Sequence, residues 1–515
     1  METRLTYTTG SRSAELDRAF ETALADARER DPEPLPHLVG GRDVAAGEIF
    51  EREDPSRRAH VAGRAHEGAE LAPEAVEAAR AAQREWRRLP HGERVAVLRA
   101  TERLIDERKL ELAATVSMEV GKVRTESIAE VEEAIDLIET YCRQIESSDG
   151  FETPLGQLSP DERNVDVLRP YGVFAVIAPF NFPFALAFGM TAAALAAGNA
   201  VVLKPPEEAP QSGGAVARLL AEAGVPDGVI SLLHGGPLTG EALVGAGIDG
   251  AAFTGSAEVG REIGRRLSEG PFPRPVLAEM GGKNAAVVGA SADLDAAAEG
   301  IAKAAFGFSG QKCSACSRAI VVEEAHDELV ERLAEIAAGY TVGDPADPDV
   351  ATGPVVSRKA VERFERSVEA ARQEGMIAAG GSRADDVGWF VEPTVVSGLR
   401  PGHPLTRDEL FLPFLTVVRV SDFDAALAEA NAVPYGLTAG VFSRDEDELD
   451  RFLDEIEAGV VYVNRRAGAT TGAWPGIQSF CGWKSSGLTG KGGLGPYYVQ
   501  QFAREQSRTI VEPLG

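Results

Sequence analysis

Residues 172–205, GVFAVIAPFNFPFALAFGMTAAALAAGNAVVLKP, decide the fold. Two short apolar runs, 174–177 and 200–203, flank an alanine-rich segment with helical character, 184–197, and Gly198 with Asn199 supplies a helix stop. Apolar runs on both sides of a helix are typical of parallel strands that are covered on both faces. The stretch therefore predicts a βαβ unit inside a mixed α/β fold.

The same alternation continues toward the C-terminus. Further strands are predicted at 229–233, 250–253, 276–278, 319–322, 416–420, 440–442 and 459–463. Further helices are predicted at 211–223, 258–267, 294–306, 327–338, 361–373 and 423–430. Upstream, residues 1–37 show weak helical patterning, 72–147 predict several packed helices, and the polar stretch 148–170 predicts a linker or an extended arm.

Composition and charge narrow the classes of function. The chain has 515 residues, 44% of them hydrophobic, which suits a folded protein of about three structural units. Its net charge of −28 should repel nucleic acid and anionic membranes. Only nine of its 52 basic residues are lysine. An acidic, arginine-rich chain is typical of proteins from salt-loving organisms, where salt screens self-repulsion. The alternative is an acidic protein from a GC-rich genome.

Residues 180–203 are uncharged and long enough to span a bilayer. Polar groups such as Asn181 and Asn199 are costly in lipid, so a buried helix and strand are the better interpretation. The first ten residues show no basic segment followed by an apolar one, and we expect no secretory signal. Four cysteines in a chain of this length suit a reducing compartment, and we expect a cytoplasmic protein.

The motif FSGQKC, residues 308–313, contains a candidate nucleophile. A neighbouring cation favours the thiolate, the reactive form of cysteine, so Lys312 is expected to lower the pKa of Cys313. The alternative is an inert, buried thiol.

Two further motifs lie at the ends of predicted strands. In EMGGK, residues 279–283, a carboxylate stands beside glycines that permit close backbone approach, and Glu279 suits a general base. In PFNFP, residues 179–183, the side-chain amide of Asn181 suits an oxyanion. The alternatives are a solvated strand-end glutamate and an ordinary turn asparagine.

A fourth set of residues suits a nucleotide. Lys204 ends a predicted strand and Glu207 follows it, while Gly255 and Ser256 open a helix whose N-terminus offers N–H groups to a phosphate. The G-x-G-x-x-G fingerprint of common dinucleotide sites is absent from the sequence.

Taken together, these motifs resemble the aldehyde dehydrogenase superfamily over residues 75–515. The matching pieces, in order, are PFNFP (179–183), VLKP with a following glutamate (202–207), FTGS-x-x-VG (253–260), E-x-GGK (279–283) and GQ-x-C (310–313). The resemblance implies an α/β fold in which a Rossmann-type NAD-binding domain (1–150 and 171–280) is interleaved with an α/β catalytic domain (281–470). It also implies an oligomerisation arm (151–170 and 485–515), and hence a homodimer or a higher homo-oligomer.

The resemblance also implies catalytic roles. Cys313 would attack an aldehyde, and Asn181 with the backbone N–H of Cys313 would stabilise the resulting oxyanion. Glu279 would activate the water that hydrolyses the thioester.

Cofactor roles follow from the same resemblance. Lys204 and Glu207 would hold the adenosine ribose, and the carboxylate would repel a 2′-phosphate, so that NAD is favoured over NADP. Gly255 and Ser256 would face the pyrophosphate. Glu409 and Phe411, in DELFLP, would hold the nicotinamide ribose, although the next residue is leucine where the family has glycine.

Two stretches indicate the aldehyde. GQKCSACSR (310–318) and TGAWPGIQSFCGWKSSG (471–487) resemble the glutamate γ-semialdehyde dehydrogenases of proline catabolism. The likeness implies that Ser314 and the backbone of Gly472 and Ala473 bind the α-carboxylate, and that Phe182 and Phe480 line the aliphatic part. Departures from that family's pattern at Trp474, Ser479, Cys481 and Trp483 lie in the same stretch.

Three alternatives remain open. One is a general or other semialdehyde dehydrogenase, for example for succinate semialdehyde. Another is transfer of the acyl group to coenzyme A, which the presence of Glu279 disfavours. The third is a non-catalytic relative, which should have lost Cys313 or Glu279. We expect no metal, because the C-x-x-C of Cys313 and Cys316 has no second pair and the seven histidines show no ligand spacing.

Overall fold

A computed structural model describes residues 5–7, 13–400 and 402–511. The predictions that fall on residues 1–4, 8–12, 401 and 512–515 lie outside these described residues. The helices α1 to α15 span, in order, Ala14–Glu29, Ala72–Trp86, His91–Glu107, Lys109–Val120, Arg124–Ser147, Ala185–Ala196, Pro210–Glu222, Pro237–Gly245, Ala257–Ser268, Leu294–Phe306, Glu323–Ala338, Arg358–Glu374, Pro404–Arg407, Phe423–Asn431 and Glu446–Glu455.

Strands and short turns complete the list of elements. The strands β1 to β22 span Pro34–Leu35, His37–Val39, Arg42–Val44, Ile49–Asp54, Arg57–His66, Glu152–Pro154, Glu162–Pro170, Val173–Ile177, Ala200–Lys204, Ile230–Leu232, Gly250–Gly255, Val276–Met280, Asn284–Val288, Cys316–Val322, Met376–Ala379, Thr394–Ser397, Phe414–Val420, Tyr435–Gly436, Thr438–Phe442, Val460–Val463, Trp483–Lys484 and Ala503–Val511. Single 3₁₀ turns occur at Ala69–Leu71, Asp149–Phe151, Gly307–Gly310 and Val499–Phe502.

The quoted stretch forms the predicted βαβ unit. Every residue of β8 and β9 is buried, and so are almost all residues of α6 between them. Gly198, at φ 93°, turns the chain from α6 toward β9, a conformation that a side chain would disfavour. The continuous burial explains why this uncharged stretch is apolar without crossing a membrane.

The first large sheet has the strand order β12-β11-β8-β9-β10-β2-β3. The five strands β12, β11, β8, β9 and β10 are parallel to one another. Strand β2 pairs antiparallel with β10, and β3 pairs antiparallel with β2. From β8 the chain adds β9 and β10 toward one edge of the sheet and then returns to add β11 and β12 on the other side of β8, so the direction of winding reverses between β8 and β11. In doubly wound sheets, the crevice at the carboxyl ends of strands at such a reversal binds the ligand.

The second large sheet has the order β15-β16-β17-β14-β13-β19-β20, parallel except for the edge strand β15. Strand β12 of the first sheet and β13 of the second are separated only by Gly281, Gly282 and Lys283. The chain therefore crosses from one sheet to the other immediately after Glu279. This crossing brings the carboxyl end of β12 close to the loop that precedes β14.

The stretch 148–170 is an extended arm. Strand β7 pairs with β6 and, over its whole length, with the C-terminal strand β22 in a separate three-stranded antiparallel sheet. The predicted helices in 72–147 are α2 to α5. Strands β1 to β5, β13, β15 and β16 and helices α8 and α15 were not predicted. Most of these missed strands are short, and β4 and β5 carry alternating charges, which masks an apolar period.

Candidate active site

Two cavities of the protein meet at Cys313. A pocket of about 790 Å³ lies on one side and a cleft of about 1920 Å³ on the other, and Cys313 with Thr254 lines both. The cleft lies along the carboxyl ends of β8, β9, β11 and β12, at the reversal of the first sheet. The thiol is therefore accessible from two directions.

Side-chain hydrogen bonds fix the backbone of the loop that carries Cys313. The Asn284 amide donates to the carbonyl oxygens of Cys313 at 2.7 Å and Ala315 at 2.9 Å. The Thr470 hydroxyl donates to the carbonyl oxygen of Ser314 at 2.6 Å. These bonds fix the carbonyl oxygens of the loop, from which Cys313 lines both cavities and Ser314 the pocket.

The turn before this loop adopts left-handed backbone angles. Phe308 and Ser309 have φ values of 48° and 51°, and Gly310 follows at 67°. Such angles cost about 1 kcal/mol or more for each non-glycine residue. Ser309 is held by Thr352, whose hydroxyl accepts its N–H at 2.8 Å, and by the carbonyl oxygen of Gly353 at 2.6 Å. These bonds stabilise the strained turn that delivers Cys313.

The Cys313 thiol is protonated in its resting environment. Burial raises its pKa well above the ordinary value, and the carboxylates of Glu279 and Glu409 raise it further. The prediction that Lys312 lowers this pKa is wrong, because the Lys312 amine donates to Glu126 at 2.6 Å. Formation of the thiolate therefore needs a nearby base.

Glu279 places a carboxyl group in the wall of the same pocket. It lies in β12, and its Oε1 accepts the N–H of Gly493 at 2.6 Å. Burial raises the pKa of Glu279 to about 7, although the hydrogen bond from the Gly493 N–H by itself lowers it. A carboxyl group with a pKa near neutrality is suited to proton transfer at physiological pH.

Asn181 lies in the loop after β8 and is buried. Its Nδ2 donates one N–H to the carbonyl oxygen of Gln311 at 2.9 Å, and the residue lines the cleft close to Cys313. The amide carries a second N–H. The bond to Gln311 orients the amide toward the cysteine loop.

The cleft brings together the predicted residues of the adenosine end. The buried Lys204 amine donates to the carbonyl oxygens of Pro205 at 2.9 Å and Gly235 at 2.8 Å. Burial lowers its pKa, while the charges of nearby glutamates, Glu207 among them, raise it. Glu207 is exposed at the cleft rim, beside Gly236.

Gly255 and Ser256 lie where β11 passes into α9, and both line the cleft. The Ser256 hydroxyl caps its own helix by accepting the N–H of Val259 at 3.3 Å. A Cβ on Gly255 would press against the Phe253 ring at 2.5 Å. The α9 N-terminus therefore opens onto the cleft, as an anionic pyrophosphate requires.

Glu409 and Phe411 line the end of the cleft nearest Cys313. The Glu409 carboxylate accepts the N–H of Gly282 at 2.8 Å, and burial raises its pKa. Phe411 has a left-handed φ of 57° and packs edge-on against Phe180 at 5.8 Å. Leu412 is buried and has no positive φ, so this position does not require glycine.

This cleft fits a dinucleotide by shape and by chemistry. It combines a lysine amine, a rim carboxylate and a helix N-terminus along one continuous groove that ends at the cysteine. These are the groups that hold a ribose and a pyrophosphate.

The predicted substrate residues converge on the smaller pocket. Ser314, Gly472, Ala473, Phe182 and Phe480 all line it together with Cys313 and Glu279. Gly472 has φ 97°, so a glycine is needed there for the turn. The two tryptophans that depart from the family's pattern lie in different surroundings. Trp474 packs edge-on against Tyr7, which lines the pocket, whereas Trp483 is half exposed in β21.

Tyr7 and Glu133 are among the pocket residues that sequence reasoning missed. Burial raises the pKa of Glu133 to about 7, and the Tyr7 hydroxyl acts against this shift by donating to the carboxylate. A sequence signal existed for Glu133. It precedes Leu137 and Tyr141 at helical spacing, and all three line the pocket from α5. Tyr7 had no comparable signal, because it lies far from every motif.

Cys316 is buried at the start of β14, as a packed small residue would be. Its thiol donates weakly to the carbonyl oxygen of Arg318 at 3.5 Å. Within residues 5–7, 13–400 and 402–511, no group of three or more histidine, cysteine, aspartate or glutamate side chains is placed to hold a metal ion.

In the described part of the chain, no helix has both the length and the apolar character that a bilayer crossing needs.

The fold and the site define a member of the aldehyde dehydrogenase family. The family model matches residues 43–507, and the chain belongs to this family. It is 38% identical over 503 residues to the 1-pyrroline-5-carboxylate dehydrogenase of Geobacillus thermodenitrificans (strain NG80-2), with 96% of each chain covered. The 1-pyrroline-5-carboxylate dehydrogenase from Thermus with bound NAD matches with a TM-score of 0.93 at 36% identity over 98% of each chain.

A longer relative has a similar fold. Proline utilization A from Bdellovibrio bacteriovorus matches with a TM-score of 0.92 at 35% identity, over 97% of this chain and 52% of that one. The chain thus spans about half the length of that relative.

Proposed function

We propose that this protein oxidises L-glutamate γ-semialdehyde, the open form of 1-pyrroline-5-carboxylate, to L-glutamate, with NAD as the hydride acceptor. The observation that carries the proposal is the position of Cys313 between a dinucleotide-shaped cleft and a pocket whose lining includes Ser314, Gly472 and Ala473. Relatives of nearly equal length that act on 1-pyrroline-5-carboxylate support the choice of aldehyde.

The chemistry uses two covalent stages on the protein. Cys313 gives up its proton to a base, for which Glu279 is the candidate, and its sulfur bonds to the aldehyde carbon. The oxyanion of the thiohemiacetal accepts N–H bonds from Asn181 and from the backbone of Cys313. The cleft residues would hold NAD, which would accept the hydride that this adduct loses when it becomes a thioester. Glu279 passes the thiol proton to solvent and then removes a proton from water, which attacks the thioester. Return of this second proton to the departing sulfur of Cys313 frees the carboxylic acid and the thiol.

The same pocket accounts for the preferred aldehyde. Ser314 offers a hydroxyl donor, and Gly472 and Ala473 offer backbone N–H donors, which suit an α-carboxylate. Phe182 and Phe480 give apolar surface for the methylene groups. A simple alkyl aldehyde leaves those donors unpaired in the pocket, which costs binding energy.

A panel of aldehydes tests the proposal. NADH appearance is followed with 1-pyrroline-5-carboxylate, succinate semialdehyde and butanal as substrates, in buffers with and without molar KCl. We expect the highest kcat/KM for 1-pyrroline-5-carboxylate. Equal or higher kcat/KM for succinate semialdehyde or butanal would overturn the choice of substrate and favour the other semialdehyde or general dehydrogenases.

NAD is proposed over NADP because Glu207 lies at the adenosine end of the cleft. A carboxylate there repels a 2′-phosphate. We expect Glu207→Gln to raise the ratio of kcat/KM for NADP to that for NAD by roughly tenfold, equivalent to about 1.4 kcal/mol. Cofactor titrations measure this ratio, and Glu324→Gln, an exposed residue of α11 outside the cleft, is the matched control. An unchanged ratio in Glu207→Gln would argue against this role.

Five sequence ranges are proposed to form three working parts of the chain. Residues 1–150 and 171–280 form the NAD-binding domain, 281–470 the catalytic domain, and 151–170 with 485–515 the oligomerisation arm. The strand memberships support these boundaries: β2, β3 and β8 to β12 fall in the first, β13 to β20 in the second, and β6, β7 and β22 in the third. The arm presents exposed edge backbone, which suits pairing with a second copy in a homodimer or larger assembly.

The net charge of −28 is the basis for proposing a halophilic enzyme, and the four cysteines are the basis for proposing a cytoplasmic one. Self-repulsion of the acidic surface is screened in concentrated salt. We expect the unfolding temperature, the activity and the assembled mass to rise as KCl increases from millimolar to molar concentration. Calorimetry and light scattering across the series measure the first and last of these. Full stability and assembly in dilute buffer would contradict the proposal.

A further inference from the structure

The segment Leu5–Tyr7 places an aromatic side chain in the wall of the aldehyde pocket, far in sequence from every motif. The Tyr7 ring packs edge-on against Phe182, with centroids 5.7 Å apart, and against Trp474 at 5.6 Å. Leu5 is buried and anchors the segment on the same core. The ring lines the pocket that contains the Cys313 thiol.

Polar contacts also hold Tyr7 in the pocket wall. Its hydroxyl donates to the Glu133 carboxylate at 2.5 Å. The Lys312 amine lies 5.2 Å from the centroid of its ring, within the range of a cation–π contact. Lys312 is itself paired with Glu126 at 2.6 Å. The phenol therefore links α5, the cysteine loop and the loop that carries Trp474.

These contacts give Tyr7 two effects on a bound aldehyde. The ring occupies space in a pocket whose other walls include the apolar side chains of Leu137, Phe182 and Phe480. The hydroxyl fixes the orientation of Glu133, a carboxylate that also lines the pocket. A long alkyl chain would need the volume of the ring and would lie against a buried carboxyl group to which it offers no hydrogen bond, which is unfavourable.

We propose that Tyr7 is a specificity-determining residue, which excludes long apolar aldehydes from the pocket and fixes the Glu133 carboxylate in its wall. The role of Tyr7 toward 1-pyrroline-5-carboxylate rests on the proposed function. Its role as a limit on aldehyde length does not, because that role depends only on the geometry of the pocket.

Two variants of the full-length chain test the inference. Tyr7→Ala removes the ring, and we expect the ratio of kcat/KM for octanal to that for butanal to rise about tenfold or more, within the range that methylene-sized pocket changes produce. Tyr7→Phe keeps the ring, and we expect this ratio to stay at the wild-type value. Loss of the hydroxyl should raise KM for 1-pyrroline-5-carboxylate severalfold without lowering kcat to the same extent.

The controls separate selectivity from stability. Tyr497→Ala removes an exposed tyrosine outside the pocket and should leave all ratios unchanged. If Tyr7→Ala lowers kcat/KM for every aldehyde by one common factor, the limit on length is wrong. If Tyr7→Phe leaves KM for 1-pyrroline-5-carboxylate unchanged, the role of the hydroxyl is wrong. A wild-type enzyme that prefers butanal to 1-pyrroline-5-carboxylate would defeat the proposed function, while the octanal-to-butanal ratio would still decide the role of the ring.

Discussion

Replacing Cys313 with alanine is expected to lower kcat for aldehyde oxidation by at least about 10⁴-fold, because loss of a catalytic nucleophile removes the covalent route altogether. Binding should survive this change. The thiol lines both cavities, but the cleft is built from the carboxyl ends of the first sheet and does not depend on it.

The measurement is NADH formation in molar KCl, together with NAD binding by protein fluorescence. Cys316→Ala is the matched control: it removes a buried thiol three residues away, outside both cavities, and should retain activity. Activity of Cys313→Ala within tenfold of the parent enzyme would show that another group carries the reaction.

Replacing Glu279 with glutamine is expected to separate the two stages of the reaction. Glutamine can still accept the N–H of Gly493, which Glu279 accepts at 2.6 Å, but it cannot take a proton from water. We expect steady-state kcat to fall by about 10²- to 10⁴-fold, the usual contribution of a general base.

Rapid-mixing experiments can reveal which stage is lost. If Glu279 acts mainly on the thioester, the variant should release a burst of one NADH per active site and then turn over slowly. Hydroxylamine attacks a thioester without a general base and should restore turnover. A variant with no burst would assign Glu279 to deprotonation of the Cys313 thiol instead.

The pH dependence of the parent enzyme should report the same group. Burial raises the pKa of Glu279 to about 7, and the carboxylate, the form that accepts a proton, predominates above that value. Where hydrolysis limits the rate, kcat should therefore rise with pH through about 7 and then level off. The Glu279→Gln variant should lack this inflection, and an inflection that persists in the variant would assign it to another residue.

The sequence predicted the parallel core because the apolar strands of that core are buried on both faces. Strands β8 and β9 and helix α10 carry uninterrupted apolar or alanine-rich runs, and the predicted α10 matches the observed bounds. Prediction failed at the short buried strands β13 and β16 and at strands rich in charged residues. Strands β4 and β5 are only partly exposed, but the buried residues of β4 are the charged Arg52 and Asp54, so no apolar period marks that strand.

The residues of the candidate site also fall into a group that the sequence predicted and a group that it did not. Cys313, Glu279 and Asn181 lie in short contiguous motifs, and the family resemblance carried by those motifs implied that they share one site. Tyr7 and Glu133 reach the pocket from distant segments, and only tertiary packing brings them there. The predicted effect of Lys312 on the pKa of Cys313 is wrong because neighbours in sequence need not point their side chains toward each other. The Lys312 amine points to Glu126 instead.

The meeting of two cavities at one sulfur atom has a consequence for inhibitor design. A single molecule that joins a nicotinamide-like group to a short amino-acid tail would occupy the cleft and the pocket at once, with its linker passing Cys313. Once one end binds, the other is held at high effective concentration, so its affinity should exceed that of either fragment by orders of magnitude. The length limit at Tyr7 would then set how long the tail can be.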